Sequence, residues 1–367
     1  MRIMVVAAPL QGHLMPLVPL AVACREAGHD VLLAGGEFPP DVRGLRTADI
    51  GARFSLARSA IRVALRHPGL ALAEMRGVAG QTMVGELFGR ANLSLLGPLQ
   101  ALAERERPDL IVFESLAEAG AVVAGRLSIP SVLQENTLWP ATELYRAVTT
   151  GAPMAGLDIP PPALTIAVTP PSLRPATDGI PMRPVPFSGG GEVPPWLRTP
   201  GDRPRVLVSR STLTGPANGD PTPAVLAAAA RVDAEFVLVR PSTNRALPPN
   251  VRAVARVPLN EVLPYAAAYV HHAGAGSVLG GLAAGVPQMA TTGAGDRRFN
   301  ARLLAKRGAG LAVEAKAITA ADLTRLLTDD ALRTAAREVA AEIAAMPDPA
   351  EVVPALEKLV GGRHSGG

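Results

Sequence analysis

The chain has 367 residues, of which 48% are hydrophobic, so it can bury a large core and is long enough for two domains of ordinary size. Its formal net charge of +4 is small, and no cluster of Lys and Arg is interleaved with aromatic residues, which argues against nucleic-acid binding. A single cysteine excludes an internal disulfide, and no signal peptide or membrane-spanning run is visible, which predicts a cytoplasmic protein.

Alternating strand and helix patterns fill the first half of the chain. Residues 2–8 predict a buried strand, a loop and a helix follow up to Gly28, and residues 29–34 predict a second strand. The remaining patterns predict helices at residues 81–107 and 117–127 and strands at 108–113, 129–133 and 165–169. Such alternation predicts a parallel sheet with helices on both faces. Residues 37–80 are less regular, and no element is assigned to them.

Proline and glycine crowd together between residues 170 and 204, where little periodicity remains. This composition is typical of an interdomain linker. A second α/β series begins with the apolar residues 205–209. We therefore predict two Rossmann-like α/β domains that face a cleft. Their bounds are an N-terminal domain at 1–186, a linker at 187–203, a C-terminal domain at 204–348, and a C-terminal helix and tail at 349–367.

The most informative stretch runs from Tyr269 to Gln288, YVHHAGAGSVLGGLAAGVPQ. A strand pattern ends at two histidines, and a helical pattern begins after a turn of small residues. Such a turn lets a phosphate approach closely, and the helix presents its free N–H groups and the positive end of its dipole to it. The pattern predicts a diphosphate site, although similar turns in other α/β proteins serve packing alone.

This stretch and the residues after it resemble a known family. His271-His-Ala-Gly-Ala-Gly-Ser277, Gly285-Val-Pro-Gln288, Asp296 and Asn300-Ala301 are similar to the nucleotide-sugar signature of GT-B glycosyltransferases. The similarity is strongest to the bacterial inverting enzymes that glycosylate antibiotics and other natural products. It covers most of the chain and implies the GT-B fold and a metal-independent, cofactor-free transfer of a sugar from a nucleoside diphosphate to a small hydrophobic acceptor.

His13 is the candidate catalytic base. It lies in Leu10-Gln-Gly-His-Leu-Met-Pro16, directly after the first predicted strand, and ligands of open α/β sheets gather at the carboxyl ends of strands. In the family that this loop resembles, the matching histidine removes the acceptor proton. A carboxylate that fixes the imidazole would assist it. Glu114 stands where the family has an acid, usually Asp; Glu118 is an alternative partner, and Glu114 could instead cap the next helix.

The resemblance also implies contacts to the donor. The side chain of His272 and the turn after it would hold the diphosphate, together with the end of the first strand of the second domain. The residues concerned are His272, Gly274, Ala275, Gly276, Ser277, Ser209 and Thr212. No metal site is visible, because the other histidines are scattered and there is no cysteine cluster.

Among the donor-site positions that depart from the family pattern, Arg256 and Arg297 bear on which donor is bound. Arg256, which precedes Val257 in the segment that resembles the base-binding strand, replaces a common Trp, although a guanidinium can also stack on a ring. Arg297 replaces a common Gln beside Asp296, which matches the acid that binds sugar hydroxyls. The loss of that Gln suggests a sugar with fewer hydroxyls, such as a deoxysugar. The likeness to antibiotic-tailoring enzymes favours dTDP over UDP.

The acceptor is expected to lie against residues 37–80 and 136–156. Candidate pocket residues, each of which could equally be ordinary core, are Met75, Met83, Phe88 and Trp139. Neither the identity of the acceptor nor the oligomeric state, including a possible homodimer, is readable from the sequence.

Three other functions stay open. A nucleotide-sugar epimerase of the same fold would not need the Gln-Gly-His13 loop. An NAD-dependent oxidoreductase would need Gly-x-Gly-x-x-Gly after the first strand, which Ala8-Pro-Leu-Gln-Gly-His13 lacks; after Gly274-Ala-Gly276, the third glycine is delayed to Gly280. A non-catalytic binding protein would have no use for His13.

Overall fold

The computed structural model describes residues 1–76, 78–174, 179–211, 220–241 and 246–364. In this part of the chain, two parallel sheets form two α/β halves, which confirms the predicted fold class. Residues 182–204 connect the halves, with a 3₁₀ turn at Pro195–Arg198. Within the same described ranges, no helix is both long enough and apolar enough to cross a membrane.

The first half contains strands β1 to β7 and helices α1 to α7. The strands are β1 (Arg2–Val6), β2 (Asp30–Gly35), β3 (Arg46–Asp49), β4 (Leu110–Glu114), β5 (Ser131–Gln134), β6 (Leu164–Ala167) and β7 (Ile180–Pro181). The helices are α1 (Gln11–Leu14), α2 (Val18–Glu26), α3 (Leu56–Arg66), α4 (Pro68–Met75), α5 (Gly80–Glu106), α6 (Ala119–Arg126) and α7 (Ala141–Thr149). Residues 37–80, left unassigned by the sequence patterns, thus contribute β3, α3 and α4.

The second half contains strands β8 to β13 and helices α8 to α13. The strands are β8 (Arg205–Ser209), β9 (Glu235–Val239), β10 (Val251–Val254), β11 (Ala268–His271), β12 (Gln288–Thr292) and β13 (Gly310–Glu314). The helices are α8 (Thr222–Ala229), α9 (Leu259–Val262), α10 (Ala275–Ala283), α11 (Arg297–Arg307), α12 (Ala320–Thr328) and α13 (Asp330–Ala345).

The two sheets share one topology. Over the described residues their orders are β3-β2-β1-β4-β5-β6-β7 and β10-β9-β8-β11-β12-β13. The order reverses between β1 and β4 in the first sheet and between β8 and β11 in the second. Ligands of open α/β sheets bind at such a reversal, outside the carboxyl ends of the strands. The fold therefore offers one crevice on each half.

Continuous apolar strands and close helix packing account for the core of each sheet. All five residues of β4 and of β8 are buried, as expected for a parallel strand covered on both faces. The last helix, α14 (Pro349–His364), packs against α2 of the first half. In this contact, Glu357 Oε1 lies 3.0 Å from His29 Nε2. The end of the chain thus ties the halves together.

Candidate active site

His13 and Glu114 meet at the crevice of the first half. His13 lies in α1, just after β1, and Glu114 is the last residue of β4. His13 Nδ1 and Glu114 Oε2 are 3.4 Å apart. The Glu114 side chain is fully buried, whereas 22% of the His13 side chain stays exposed. The structure therefore brings together the two residues that the sequence proposed as base and partner, with the imidazole on the open side.

Hydrogen bonds fix the Glu114 carboxylate. The backbone N–H of Ala8 donates to Oε1 at 3.0 Å, and that of Leu116 donates to Oε2 at 2.8 Å. Asn136 Nδ2 donates to the same Oε2 at 2.7 Å. Because both oxygens are held, the carboxylate can orient the imidazole of His13 and balance the positive charge that the ring acquires with a second proton.

Asn136 belongs to this cluster, although the sequence analysis did not identify it. Its Nδ2 lies 3.2 Å from His13 Nδ1, so the amide touches both members of the pair. Asn136 stands two residues beyond β5, the strand next to β4. The rule that polar residues after parallel strands gather at one edge of the sheet was the signal that could have found it.

Glu118, the alternative partner, lies in a separate buried network. Its Oε2 accepts a hydrogen bond from Asn92 Nδ2 at 3.0 Å, and Asn92 Oδ1 accepts the Ala119 N–H at 2.8 Å. Burial raises the pKa of Glu118 well above its usual value, and the nearby charge of Glu114 raises it further. The geometry thus places Glu114, and not Glu118, beside His13.

Opposing effects act on the His13 imidazole. Burial disfavours the charged ring and lowers its pKa, but the charge and hydrogen bond of Glu114 and the charge of Asp296 raise it. The result is a pKa above the ordinary value of about 6.5. The smallest of these effects comes from Asp296, a residue of the second half.

The turn after β11 has the form of an anion site. Gly274 is the N-cap of α10, whose first turn holds Ala275, Gly276 and Ser277 and carries no acidic residue. A Cβ on Gly274 would lie 2.6 Å from His272 Nε2, so only glycine leaves the ring of His272 where it is. The turn thus combines free helix N–H groups with a histidine at close range.

The two adjacent histidines differ in their surroundings. His271 is buried, its Nε2 is 2.8 Å from Gln288 Oε1, and burial lowers its pKa to about 4. His272 Nδ1 is buried, and nothing in the described part of the chain hydrogen-bonds to it. Burial lowers the pKa of His272 well below its usual value, and the charges of Arg297, His271 and Arg240 lower it further. His271 supports the core, whereas a neutral His272 is left with an unused ring nitrogen.

The serines proposed as phosphate contacts both lie near Tyr269. Ser209 Oγ lies 2.6 Å from the Tyr269 hydroxyl, and Ser277 is near enough to that hydroxyl to oppose the rise in the pKa of Tyr269 that burial causes. Ser209 is 3% exposed, so it lies beneath the turn. Thr212 lies outside the described residues.

Asp296 and Arg297 begin α11, close to the anion turn. Asp296 Oδ2 accepts a hydrogen bond from Asn300 Nδ2 at 2.7 Å, and burial raises the pKa of Asp296. Arg297 is 7% exposed, and its Nη2 donates to Ser211 Oγ at 3.1 Å. Arg297 therefore connects the start of α11 to Ser211, just beyond β8, and its positive charge lowers the pKa of His272.

Arg256 and Val257 have their contacts in the connecting segment and in the core. Arg256 Nη2 donates to the backbone oxygen of Ser188, in the segment that connects the halves, at 3.2 Å. Val257 is buried in the core beside β9 and β11. The structure thus shows Arg256 holding the connecting segment, and the proposed stacking on a base stays a prediction.

The candidate acceptor residues fall into two groups. Met83, Phe88 and Trp139 are 7–9% exposed, whereas Met75 is 75% exposed. The ring of Phe88 lies 5.9 Å from that of His13, and the ring of Trp139 lies 5.9 Å from that of Phe299 on α11. An apolar wall therefore stands next to the base. Among the residues that the structure describes, no group of three or more His, Cys, Asp or Glu is arranged to hold a metal ion.

Comparison with known proteins gives likenesses along nearly the whole chain. The family model "Erythromycin biosynthesis protein CIII-like, N-terminal domain" matches residues 22–211, and the corresponding C-terminal domain model matches residues 223–359. The chain is 36% identical to the elloramycin glycosyltransferase ElmGT of Streptomyces olivaceus over 98% of both chains. It is 32% identical to the TDP-daunosamine transferase DnrS of Streptomyces peucetius, over 99% of this chain and 98% of that one.

Solved structures agree with these matches. The glycosyltransferase SsfS6 of Streptomyces sp. SF2575, complexed with thymidine diphosphate, superposes with a TM-score of 0.82 at 31% identity and covers 98% of this chain and 99% of its own. SnogD of Streptomyces nogalater gives a TM-score of 0.81 at 31% identity and covers 98% and 100%. The family and enzyme class expected from the sequence are confirmed. The chain belongs to the erythromycin biosynthesis protein CIII-like family and is a natural-product glycosyltransferase with the GT-B fold.

Proposed function

We propose that the protein transfers a deoxysugar from a dTDP-sugar to a hydrophobic acceptor of the polyketide type, with inversion at the anomeric carbon. The observation that carries this proposal is the pair His13 and Glu114, which lies near enough to Asp296 of the opposite half for the charge of Asp296 to raise the pKa of His13. The nucleotide is supported by relatives: DnrS is named a TDP-daunosamine transferase, and SsfS6 is complexed with thymidine diphosphate. The acceptor class is supported by the apolar wall around Phe88 and Trp139.

His13 begins the reaction by accepting the proton of the acceptor hydroxyl. Because Nδ1 is turned to Glu114 and Asn136, Nε2 is the ring nitrogen left for the acceptor. The acceptor oxygen attacks the anomeric carbon, and the bond from that carbon to the diphosphate breaks, its electron pair leaving with the phosphate oxygen. A single displacement of this kind inverts the configuration. The negative charge of Glu114 stabilises the imidazolium that forms.

The leaving diphosphate is stabilised by the second half. The first turn of α10 offers N–H groups, and we infer that the His272 ring, whose Nε2 lies against Gly274, hydrogen-bonds to the diphosphate beside them. Arg297 and Arg240 bring two positive charges close enough to act on His272. We infer that Asp296, whose charge acts on His13, accepts a hydrogen bond from a sugar hydroxyl of the donor.

The other functions considered for the sequence gain no support. The matched families and relatives are glycosyltransferases, and neither an epimerase nor an oxidoreductase is among those reported above. The residues after β1 form the short helix α1 and no glycine-rich dinucleotide turn. We propose the domain bounds 1–186, 187–203, 204–348 and 349–367. A cytoplasmic location and a homodimer remain predictions.

The test is a ligand screen followed by an assay of transfer. We expect dTDP to raise the melting temperature by more than UDP does, and NAD and NADP to leave it unchanged, because a ligand that binds only the folded state stabilises it. Mass spectrometry with dTDP-deoxysugars and polyketide aglycones would then detect a product one sugar heavier than the acceptor. Stabilisation by NAD, or donor binding without transfer to any aglycone, would contradict the proposal.

A further inference from the structure

One backbone group of the donor loop hydrogen-bonds to the opposite half. The loop at residues 293–296 joins β12 to α11, and Gly295 within it has φ +70°, which favours glycine. The Gly295 N–H donates to Glu74 Oε1 at 2.8 Å. Glu74 lies in α4 of the first half. The first half thus holds the middle of this loop through a hydrogen bond.

Two further contacts from the next residues cross the crevice. Arg298 Nη2 donates to the backbone oxygen of Arg76 at 3.3 Å, just beyond α4. The ring of Phe299 lies 5.9 Å from the ring of Trp139 in the apolar wall. Asp296 and Arg297 lie between these contacts and the Gly295 contact. The segment 295–299 therefore contains Asp296, the acid proposed to bind the sugar, and contacts the first half on either side of it.

The surroundings of Glu74 disfavour a charged carboxylate, so this side chain does not serve to stabilise α4. Burial raises the pKa of Glu74, and the negative charge of Asp296 adds to this, while the Gly295 N–H and Arg297 oppose it. On an isolated helix the same side chain would be hydrated. The unfavourable placement is offset by contacts that exist only when the donor loop lies against α4.

We propose that Glu74 is a positioning residue of the transfer reaction: it accepts the Gly295 N–H across the crevice and so holds the loop that presents Asp296 to the donor sugar. This inference rests on the proposed function, because Asp296 is the sugar contact there. Glu74 acts on the loop and does not touch the nucleotide. Its loss should therefore weaken the use of a nucleotide sugar much more than the binding of dTDP, which has no sugar to present.

Three variants separate the hydrogen bond from the charge. Glu74→Ala removes both, Glu74→Asp keeps the charge but shortens the reach by a methylene, and Glu74→Gln keeps an oxygen that can accept the Gly295 N–H. The matched control is Glu104→Ala, an exposed carboxylate on α5 that accepts a hydrogen bond from Gln100 of the same helix. We expect Glu74→Ala and Glu74→Asp to raise the KM for the nucleotide sugar about tenfold and to change the Kd for dTDP by less than about twofold. Glu74→Gln and Glu104→Ala should both have a KM and a Kd close to those of the wild type.

Hydrogen exchange tests the contact without any turnover. The peptide that contains the Gly295 amide should exchange about tenfold faster in Glu74→Ala and Glu74→Asp than in the wild type and Glu74→Gln, while the peptide of β8 keeps its protection. Equal exchange of the Gly295 peptide in all variants would overturn the proposal, as would an equal loss of dTDP and nucleotide-sugar binding. If Glu74→Ala does not fold, the proposal is decided by comparing the exchange rate and the KM of Glu74→Asp with those of Glu74→Gln. Failure of the wild type to transfer sugar would count against the proposed function alone, because the exchange result stands separately.

Discussion

The crevices of the two halves lie at the same point of the same topology, yet they hold histidines of opposite character. His13 follows β1 and His272 follows β11, each beside the reversal of strand order in its sheet. Carboxylates surround His13 and raise its pKa, whereas burial and cations lower the pKa of His272. The His13 ring is placed to take up a proton, and the His272 ring stays neutral beside the site proposed for the diphosphate, which carries two negative charges in the donor and gains a third as it leaves. A shared fold fixes where a ligand binds, and the nearby charges decide what each histidine does to it.

Removal of the His13 imidazole should have the largest effect on catalysis. His13→Ala should lower kcat by roughly a hundredfold or more, the usual contribution of a positioned base, and should leave dTDP binding nearly unchanged because His13 belongs to the other half. Steady-state kinetics and calorimetry measure the two quantities. Near-normal turnover with an ordinary alcohol as acceptor would show that His13 is not the base.

Loss of the charge beside His13 should have the next largest effect. Glu114→Gln keeps the shape of the side chain, and we expect kcat to fall about ten- to a hundredfold. In the wild type, activity should be lost as the pH falls through the raised pKa of His13, because the protonated ring cannot act as a base. Glu114 raises that pKa, so the acid limb of the pH–rate profile should move to lower pH in the variant.

The matched control for this experiment is Glu118→Gln. Glu118 is also a buried glutamate of the first half, but it hydrogen-bonds to Asn92 and not to His13. Its pKa is already raised, which favours the neutral carboxyl group that glutamine resembles. The acid limb should therefore stay where it is in the wild type. A shift of equal size in both variants would mean that general disturbance of the region, and not the charge on His13, sets the profile.

The second histidine should affect binding more than turnover. His272→Ala should weaken dTDP binding about tenfold, since it removes a group beside the anion turn. A bound diphosphate should raise the low pKa of His272, so part of the affinity should be gained as the pH falls, and this part should be missing in the variant. Titration of the wild type and the variant with dTDP at several pH values separates the contribution of His272 from that of protonation of the nucleotide, which both proteins share. The same affinity in both proteins would remove His272 from the site.

The sequence predicted the parts of each site that belong to strand ends. His13, Glu114 and His272 stand at or just after the ends of strands that the sequence patterns predict. A parallel sheet brings such positions to one edge. Asn136 was missed because it stands two residues beyond its strand. Glu74 was out of reach for a different reason. No periodicity marks α4, and the contact with Gly295 depends on how the two halves face each other, which no local pattern contains.

Arg297 offers the smallest expected effect and the most direct test of which sugar the second half accepts. The resemblance drawn from the sequence implies a glutamine at this position, and Arg297 donates a hydrogen bond to Ser211 in the interior. Arg297→Gln replaces a buried cation with an amide that can both donate and accept hydrogen bonds. We expect the preference for a deoxysugar donor over its hydroxylated counterpart, measured as the ratio of kcat/KM values, to fall a few-fold, because the amide can bind a hydroxyl that the guanidinium leaves unpaired. Loss of the positive charge should weaken dTDP binding for both donors equally and cancel from the ratio. An unchanged ratio would mean that Arg297 serves the diphosphate and the packing of α11 only, and that other residues select the sugar.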